Sequence, residues 1–139
     1  MVELRFCILT EDIQGLTVFM EGMSALANTL PPGCKLRFFV VDYDDICNFM
    51  DKGIHAVFTS YHIGKGKTGV DLKNKLDLRG DDVPVYSMED GPNNHKKLTE
   101  AGILDGFESE ESDEFIYRIV RRNEMIKETM LDIETEDVA

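Results

Sequence analysis

Short apolar runs alternate along the chain with segments in which hydrophobic residues recur every three or four positions. The apolar runs predict buried strands at residues 4–9, 36–41, 56–59 and 83–88, with a weaker fifth strand at 105–108. The clearest of the intervening helices is predicted by the spacing of Leu16, Phe19 and Met23, which places them on one helical face. The pattern therefore predicts strands and helices that alternate.

Because each predicted strand is followed by a helix, every strand-to-strand connection contains a helical crossover. Such connections favour a parallel sheet that is covered by helices on both faces. The chain of 139 residues is long enough for one core of ordinary size. We expect one domain at residues 1–126, and residues 127–139 as an extension of the last helix or an acidic tail.

Composition narrows the classes of partner and the cellular compartment. The net charge of −12 disfavours a surface that tracks a phosphate backbone, so we expect no nucleic-acid partner. Cys7, Cys34 and Cys47 are widely spaced and form no CxxC motif, which is typical of reduced thiols. Neither a secretory leader nor a long apolar run is found. We therefore expect a soluble, cytoplasmic protein without a membrane partner.

Residues 56–72 are a candidate ligand site, because an apolar run there leads into a loop rich in glycine and lysine and then into a helix. Gly66-Lys67-Thr68 is similar to the end of a phosphate-binding P-loop. Tyr61 stands where the first glycine of that motif would be, so the backbone lacks the standard phosphate cradle. Nucleotide binding by a P-loop-like segment is therefore kept only as a third possible function, after the two given below.

Four pieces of sequence together carry a resemblance to a known family. They are the strand and acids at residues 8–12, the strand and loop at 55–63 followed by 69–72, the strand at 83–85, and residues 98–102 before Asp105. In order and spacing they resemble the receiver domain of two-component response regulators. The resemblance implies a flavodoxin-like (βα)5 fold, a three-layer sandwich around a central five-stranded parallel sheet.

The resemblance also assigns positions to a phosphorylation pocket, and several of them are altered. Glu11 and Asp12 match the acidic pair that holds magnesium in the family. The phosphoacceptor position falls on Ser60, which has no carboxylate, and the lysine position falls on Ser109. The switch aromatic falls on Gly106. The chain thus resembles a degenerate receiver, or pseudo-receiver, with no catalytic residue.

The family's hydroxyl position on the fourth strand has two candidates. Counting forward from Pro84 gives Glu89, and counting back from Ala101-Gly102 gives Ser87. If Glu89 lies there, it adds a third carboxylate to Glu11 and Asp12, which would raise one of their pKa values or attract a cation. The alternative is that Glu89 points into solvent at the turn. We expect no cofactor, and Mg²⁺ at the acidic pair remains the alternative. Gly15 is expected to permit close packing near this pocket.

Lys65 and Lys67 lie in the loop after the third predicted strand, and three interpretations remain open. They are solvated charges, or part of a surface that a partner contacts, or one of them folds over Glu11 and Asp12 in place of magnesium. The third interpretation rests on the need of like charges for compensation.

The last predicted helix has an apolar side that extends beyond the usual end of this fold. That side contains Ile119, Ile126, Met130 and Ile133. An apolar side that continues past the domain needs a partner, which favours a homodimer or a docked protein. The alternative is that these residues fold back on their own sheet.

The function expected from these observations is that of an atypical, stand-alone signalling module. It would act by protein–protein interaction with a signalling partner, without aspartyl phosphorylation and not as an enzyme. The alternative is a receiver that still binds a divalent cation or a small anion in an altered acidic pocket.

Overall fold

The computed structural model describes residues 2–28, 34–88 and 91–105, which form a parallel sheet with helices on both faces. The strands are β1 (Val2–Leu9), β2 (Cys34–Val40), β3 (Ala56–Thr59), β4 (His62–Gly64), β5 (Lys67–Thr68), β6 (Val85–Ser87) and β7 (Leu104–Asp105). The helices are α1 (Ile13–Ala27), α2 (Ile46–Met50), α3 (Gly69–Arg79) and α4 (Pro92–Glu100).

The sheet confirms the predicted fold class. Its five described strands run parallel in the order β2-β1-β3-β6-β7. The chain moves to one side of β1 to form β2 and to the other side to form the remaining strands. In open α/β sheets the crevice at this point, beyond the carboxyl ends of the strands, is the usual ligand site.

Two hydrophobic layers hold the sheet between the helices, and β1 contributes to both. Phe6 and Ile8 belong to the layer beneath α1, where they join Phe19. Cys7 and Leu9 belong to the opposite layer, which includes residues of α2, α3 and α4. This division follows from the alternation of side chains along a strand. It explains why the second half of β1, residues 6–9, is a continuous apolar run, since both of its faces are covered there.

Helix α2 has five residues and is held in place by α3. Lys75 Nζ donates a hydrogen bond of 2.7 Å to the carbonyl oxygen of Tyr43, just before α2. Arg79 Nη1 donates to the carbonyl oxygen of Cys47 at 3.1 Å, and Arg79 also pairs with Asp51. The chain leaves the helix through Gly53, whose φ of +83° suits glycine. The short α2 therefore covers only part of the face against which it packs.

The segment between β3 and α3 differs from the predicted loop, because it contains the antiparallel hairpin β4–β5. At the other end of the sheet, the weak fifth strand predicted at 105–108 begins at Leu104, and its remainder lies outside the described residues. The predicted last helix and the boundary at residue 126 also lie outside them. No helix within the described ranges is long and apolar enough to cross a membrane.

Candidate functional site

Asp12, the second acid of the pair after β1, caps a helix. Asp12 Oδ1 accepts a hydrogen bond of 3.0 Å from the amide of Gly15, and the Asp12 carbonyl accepts one of 2.9 Å from Leu16. Asp12 is thus the N-cap of α1, where a carboxylate satisfies a free amide and complements the helix dipole. A Cβ at Gly15 would lie 2.6 Å from Asp12 Oδ2. The expectation that Gly15 permits close packing beside the acidic pair is confirmed.

Ser60 follows β3 and binds to the residue that follows β1. Its Oγ donates a hydrogen bond of 2.7 Å to Thr10 Oγ1, and its amide donates to the carbonyl of Leu9 at 3.0 Å. Thr10 Oγ1 also accepts the amide of Asp12 at 3.1 Å. These bonds join the ends of β1 and β3 to the cap of α1. The resemblance assigned the phosphoacceptor position to Ser60, and its hydroxyl is engaged in this network.

Ser87 ends β6 and is buried, with 2% of its surface exposed. Its partner in the β3–β6 ladder is Thr59, the residue before Ser60. The next amide, that of Met88, donates a hydrogen bond of 2.9 Å to the carbonyl oxygen of Thr59. The structure therefore places Ser87 beside Thr59 in the strand. Glu89, the other candidate for this position, lies outside the described residues.

The backbone of the hairpin β4–β5 is bonded to the segment that follows β1, and a second bond closes the base of the hairpin. The amide of Glu11 donates to the carbonyl of His62 at 3.3 Å, and the amide of Gly69 donates to the carbonyl of Tyr61 at 2.8 Å. At the tip, Lys65 has a φ of +56° and Gly66 a φ of +71°. Positive φ at both central residues is the requirement of a type I′ turn, whose twist matches that of a hairpin.

The hairpin turns Lys65 toward the loop between β2 and α2. Lys65 Nζ lies 3.0 Å from Asp44 Oδ2 and 3.7 Å from Asp42 Oδ2. Lys65 lowers the pKa of Asp44 through this hydrogen bond, and Asp44 in turn raises the pKa of Lys65. These side chains are more than half exposed, so the pairing orients the hairpin and adds little stability.

Lys67 lies over an aromatic ring of the same loop. Its Nζ is 5.1 Å from the centroid of the Tyr43 ring, and Lys75 Nζ is 4.1 Å from that centroid. Both distances are within the range of cation–π attraction. The prediction that Lys65 or Lys67 folds over Glu11 and Asp12 is therefore wrong. The hairpin directs these lysines to acids and a ring that follow β2, and not to the acids that follow β1.

Thr68 begins helix α3 and does not contribute to a phosphate cradle. Its Oγ1 accepts the amide of Asp71 at 3.3 Å, while Asp71 Oδ2 accepts the amide of Thr68 at 2.8 Å. This reciprocal pair is a capping box. Lys67 and Thr68 are also paired in the hairpin with Gly64 and His62. The P-loop interpretation is therefore wrong, because the residues concerned form an antiparallel ladder.

Comparisons with known proteins agree on the fold. A chemotaxis protein CheY4 of Vibrio cholerae matches with a TM-score of 0.55 and 10% identity, over 87% of this chain and 98% of that one. The receiver domain of the Francisella response regulator 1452 gives 0.56 and 15%, over 91% and 98%. The response regulator domain of Thermotoga maritima CheB gives 0.52 and 12%, over 93% and 97%.

The fold is that of response-regulator receiver domains. At these identities the similarity establishes the fold alone. No protein-family model matches the sequence, and a search of curated proteins found no match. The chemistry of the pocket must therefore be argued from the residues of this chain.

Within the receiver fold, the described residues contain no group of three His, Cys, Asp or Glu side chains that could hold a metal ion. Glu11 and Asp12 are adjacent in sequence and both are exposed. The carboxylate of Asp12 is engaged at the start of α1. These residues fit a magnesium site poorly, because neither β3 nor Ser60 supplies a third carboxylate beside Glu11 and Asp12.

Several assigned positions lie outside the described residues. They are Glu89, Gly106 and Ser109 of the pocket, together with Ile119, Ile126, Met130 and Ile133 of the last predicted helix. Their proposed roles remain predictions.

Thr10 and Tyr43 were not among the candidate residues, although they contact the side chains of Ser60 and Lys67. Thr10 accepts the hydrogen bond of Ser60, and two lysines lie within cation–π distance of the Tyr43 ring. The resemblance assigned no role to either residue, and their roles follow from the packing of neighbouring strand ends. The capping box of Thr68 did carry a signal, since a threonine three residues before an acid at a helix start is its signature.

Proposed function

We propose that the chain is a receiver-like signalling module that acts by protein–protein contact and without aspartyl phosphorylation. The observation that carries this proposal is the hydrogen bond between Ser60 Oγ and Thr10 Oγ1 at the end of β3. Acyl phosphate formation requires a carboxylate nucleophile at that point, and serine supplies none. The receiver fold of the solved structures supports a role in signalling.

The state of the acidic pair further supports the proposal. Asp12 is committed to the cap of α1, and the backbone of Glu11 is bonded to the hairpin. One oxygen of Asp12 already accepts the amide of Gly15, so a magnesium ion would have to bind through Oδ2. In this proposal Glu11 and Asp12 have a structural role, since they connect the hairpin and helix α1. We expect neither a cofactor nor an enzymatic activity.

The contact surface in this proposal includes the exposed β4–β5 hairpin. Lys65 is 58% exposed, and its charge is balanced locally by Asp42 and Asp44. Lys67 lies beside it over Tyr43. The hairpin presents an exposed, charged edge, and a signalling partner would recognise its shape and charge.

The test is an NMR titration of the full-length protein with beryllofluoride and magnesium, and separately with magnesium alone. We expect the amide resonances of Glu11, Asp12 and Ser60 to stay unchanged. Shifts that cluster at these residues with beryllofluoride would overturn the proposal. The matched control is Asp12→Asn, because shifts with magnesium alone that vanish in this variant would instead establish the altered cation pocket.

The second part of the proposal is pairing through the last predicted helix, with Ile119, Ile126, Met130 and Ile133 at the contact. Light scattering of the full-length protein and of an Ile126→Glu/Met130→Glu variant tests it. A dimer that becomes a monomer in the variant supports pairing, whereas monomers in both cases remove it.

A further inference from the structure

A cleft of about 210 Å³ opens on the sheet face that α2 covers incompletely. Its lining consists of Arg5, Arg37, Phe39, Phe49, Lys52 and Ile54. Three of these six residues are cations, in a chain whose net charge is −12. The cleft is therefore a local basic site on an acidic protein.

The two guanidinium groups of the cleft are placed side by side by the sheet. Arg5 and Arg37 are partners in the β1–β2 register, so their side chains leave the same face. Arg5 Nη1 donates to the carbonyl oxygen of Lys52 at 2.9 Å, which fixes its orientation. Arg37 remains 53% exposed and free to meet a ligand with part of its donor set.

The same pair already shares one carboxylate. Glu3 Oε1 lies 3.2 Å from Arg37 Nη1 and 3.6 Å from Arg5 Nε. Two guanidinium groups offer ten N–H donors in flat forks that suit carboxylates, and one glutamate uses a small part of them. The arrangement can thus accept a second carboxylate beside Glu3.

The aromatic residues form the other wall of the cleft. The ring centroids of Phe39 and Phe49 are 5.3 Å apart. Arg37 lies 5.0 Å from the centroid of Phe39, and Lys52 Nζ lies 5.4 Å from that of Phe49. Cationic side chains held over rings are partly ordered before a ligand binds. They therefore lose less conformational entropy on binding.

The size of the cleft selects the kind of ligand. Sites for drug-sized molecules are usually about 300–1,000 Å³, so a nucleotide is too large for this one. The volume suits one or two side chains of a peptide. The acidic surface elsewhere does not prevent such binding, because charges beyond about 10 Å are largely screened at 0.1 M salt.

We propose that this cleft binds an acidic segment of a partner protein. One aspartate or glutamate carboxylate is held by Arg5 and Arg37, and an adjacent aromatic side chain packs against Phe39 and Phe49. The cleft lies at the amino-terminal half of β1, whereas Thr10 and Ser60 follow the carboxyl ends of the strands. The proposal is therefore independent of the phosphorylation chemistry of the fold.

The experiment is an NMR titration of the full-length protein with the blocked peptide Glu-Glu-Tyr-Glu-Glu, and with Gln-Gln-Tyr-Gln-Gln as its neutral counterpart. The acidic peptide is expected to shift the amides of Arg5, Arg37, Lys52 and Ile54, and the neutral peptide is not. The Arg37→Gln/Lys52→Gln variant is expected to bind about tenfold more weakly. Lys96→Gln/Lys97→Gln removes the same charge from α4 and is expected to bind like the unaltered protein.

Four results would overturn the proposal. They are shifts located elsewhere, equal binding of the neutral peptide, equal losses in the two double variants, and about tenfold tighter binding of a phosphotyrosine peptide with glutamine neighbours. A fifth result is tested with the variant Asp132→Asn/Glu134→Gln/Glu136→Gln/Asp137→Asn, which removes negative charge from the acidic end of the chain itself. Binding seen only in that variant would assign the cleft to the chain's own segment and would refute a partner in trans.

Discussion

The hydroxyl of Ser60 donates a 2.7 Å hydrogen bond to the hydroxyl of Thr10, and so joins the ends of two neighbouring parallel strands. Thr10 in turn accepts the amide of Asp12, the residue that caps α1. Strand β1, strand β3 and the start of α1 are thereby connected at one point. The contact between these hydroxyls therefore gives Ser60 and Thr10 a structural role.

The first prediction concerns the energetic coupling of these hydroxyls. We expect Ser60→Ala and Thr10→Ala each to lower the free energy of unfolding by about 1 kcal/mol, since each removes a partly buried hydrogen bond. A double-mutant cycle measured by urea unfolding should give a coupling energy of about 1 kcal/mol. Thr17→Ala is the control, because Thr17 bonds within α1 to Ile13 and should combine additively with Ser60→Ala. Additivity of Ser60→Ala with Thr10→Ala would contradict the bond.

The second prediction concerns Gly15 and Asp12. Alanine in a helix is usually more stable than glycine by about 0.5–1 kcal/mol, but a Cβ at Gly15 would displace the capping carboxylate. We expect Gly15→Ala to give little or no gain in the unaltered protein and a gain of about 0.5–1 kcal/mol in the Asp12→Ala variant. Chemical unfolding of the four proteins measures this difference.

Gly22, about 10 Å further along α1, provides the control for that cycle. Gly22→Ala should have the same effect with and without Asp12→Ala, because Gly22 is remote from the cap. If Gly15→Ala also had one effect in both backgrounds, the close approach of Gly15 to Asp12 would be refuted.

The third prediction concerns His55 and pH. Its Nδ1 accepts the amide of Arg5 at 2.8 Å, and burial, followed by the charge of Arg5, lowers the pKa of His55 from 6.5. The unfolded chain therefore takes up the proton more readily than the folded one. Stability should fall as the pH drops below about 6.5 and should continue to fall until the lowered pKa is passed.

His55→Asn keeps an acceptor near that position but does not titrate, so it serves as the reference protein. The free energy of unfolding of the two proteins is measured between pH 8 and pH 5 at constant salt. The advantage of the histidine protein over the asparagine variant should shrink toward pH 5. A constant difference would show that His55 does not sense pH through folding.

The fourth prediction concerns the thiols. Burial raises the pKa of Cys7 to about 12, so its reactive thiolate is almost absent at neutral pH. Cys47 is partly exposed. In a Cys34→Ser background we expect a disulfide reagent at pH 8 to label Cys47 within minutes and Cys7 only after unfolding. Rapid labelling of both thiols in the folded protein would contradict the burial of Cys7.

The strands were predictable because their signals are local. Residues 56–58 are apolar and are followed by Thr59, and the structure has β3 at Ala56–Thr59. The helical spacing of Leu16, Phe19 and Met23 likewise reports the contact of α1 with the sheet. Burial on both faces leaves a direct mark on sequence, so the fold class could be read from it.

The partners of the loop side chains could not be predicted, because they depend on which strand ends are neighbours. Lys65 meets Asp44, which precedes it by twenty-one residues, only because β2 and β3 flank β1. The hairpin itself is formed by a three-residue and a two-residue strand, too short for a periodic pattern. Its available signal was the glycine at position 66, directly after Lys65, which suits the second place of a type I′ turn.

The hairpin also determines where this chain can change in length. At its base, a Cβ at Gly69 would lie 2.7 Å from the carbonyl oxygen of Ser60, so the start of α3 is pressed against the end of β3. The tip at Lys65 and Gly66 is exposed and has no such constraint. Insertions gained in evolution should therefore accumulate between these two residues. A fluorophore or an affinity tag inserted there would be carried beside the crevice while its walls stay intact.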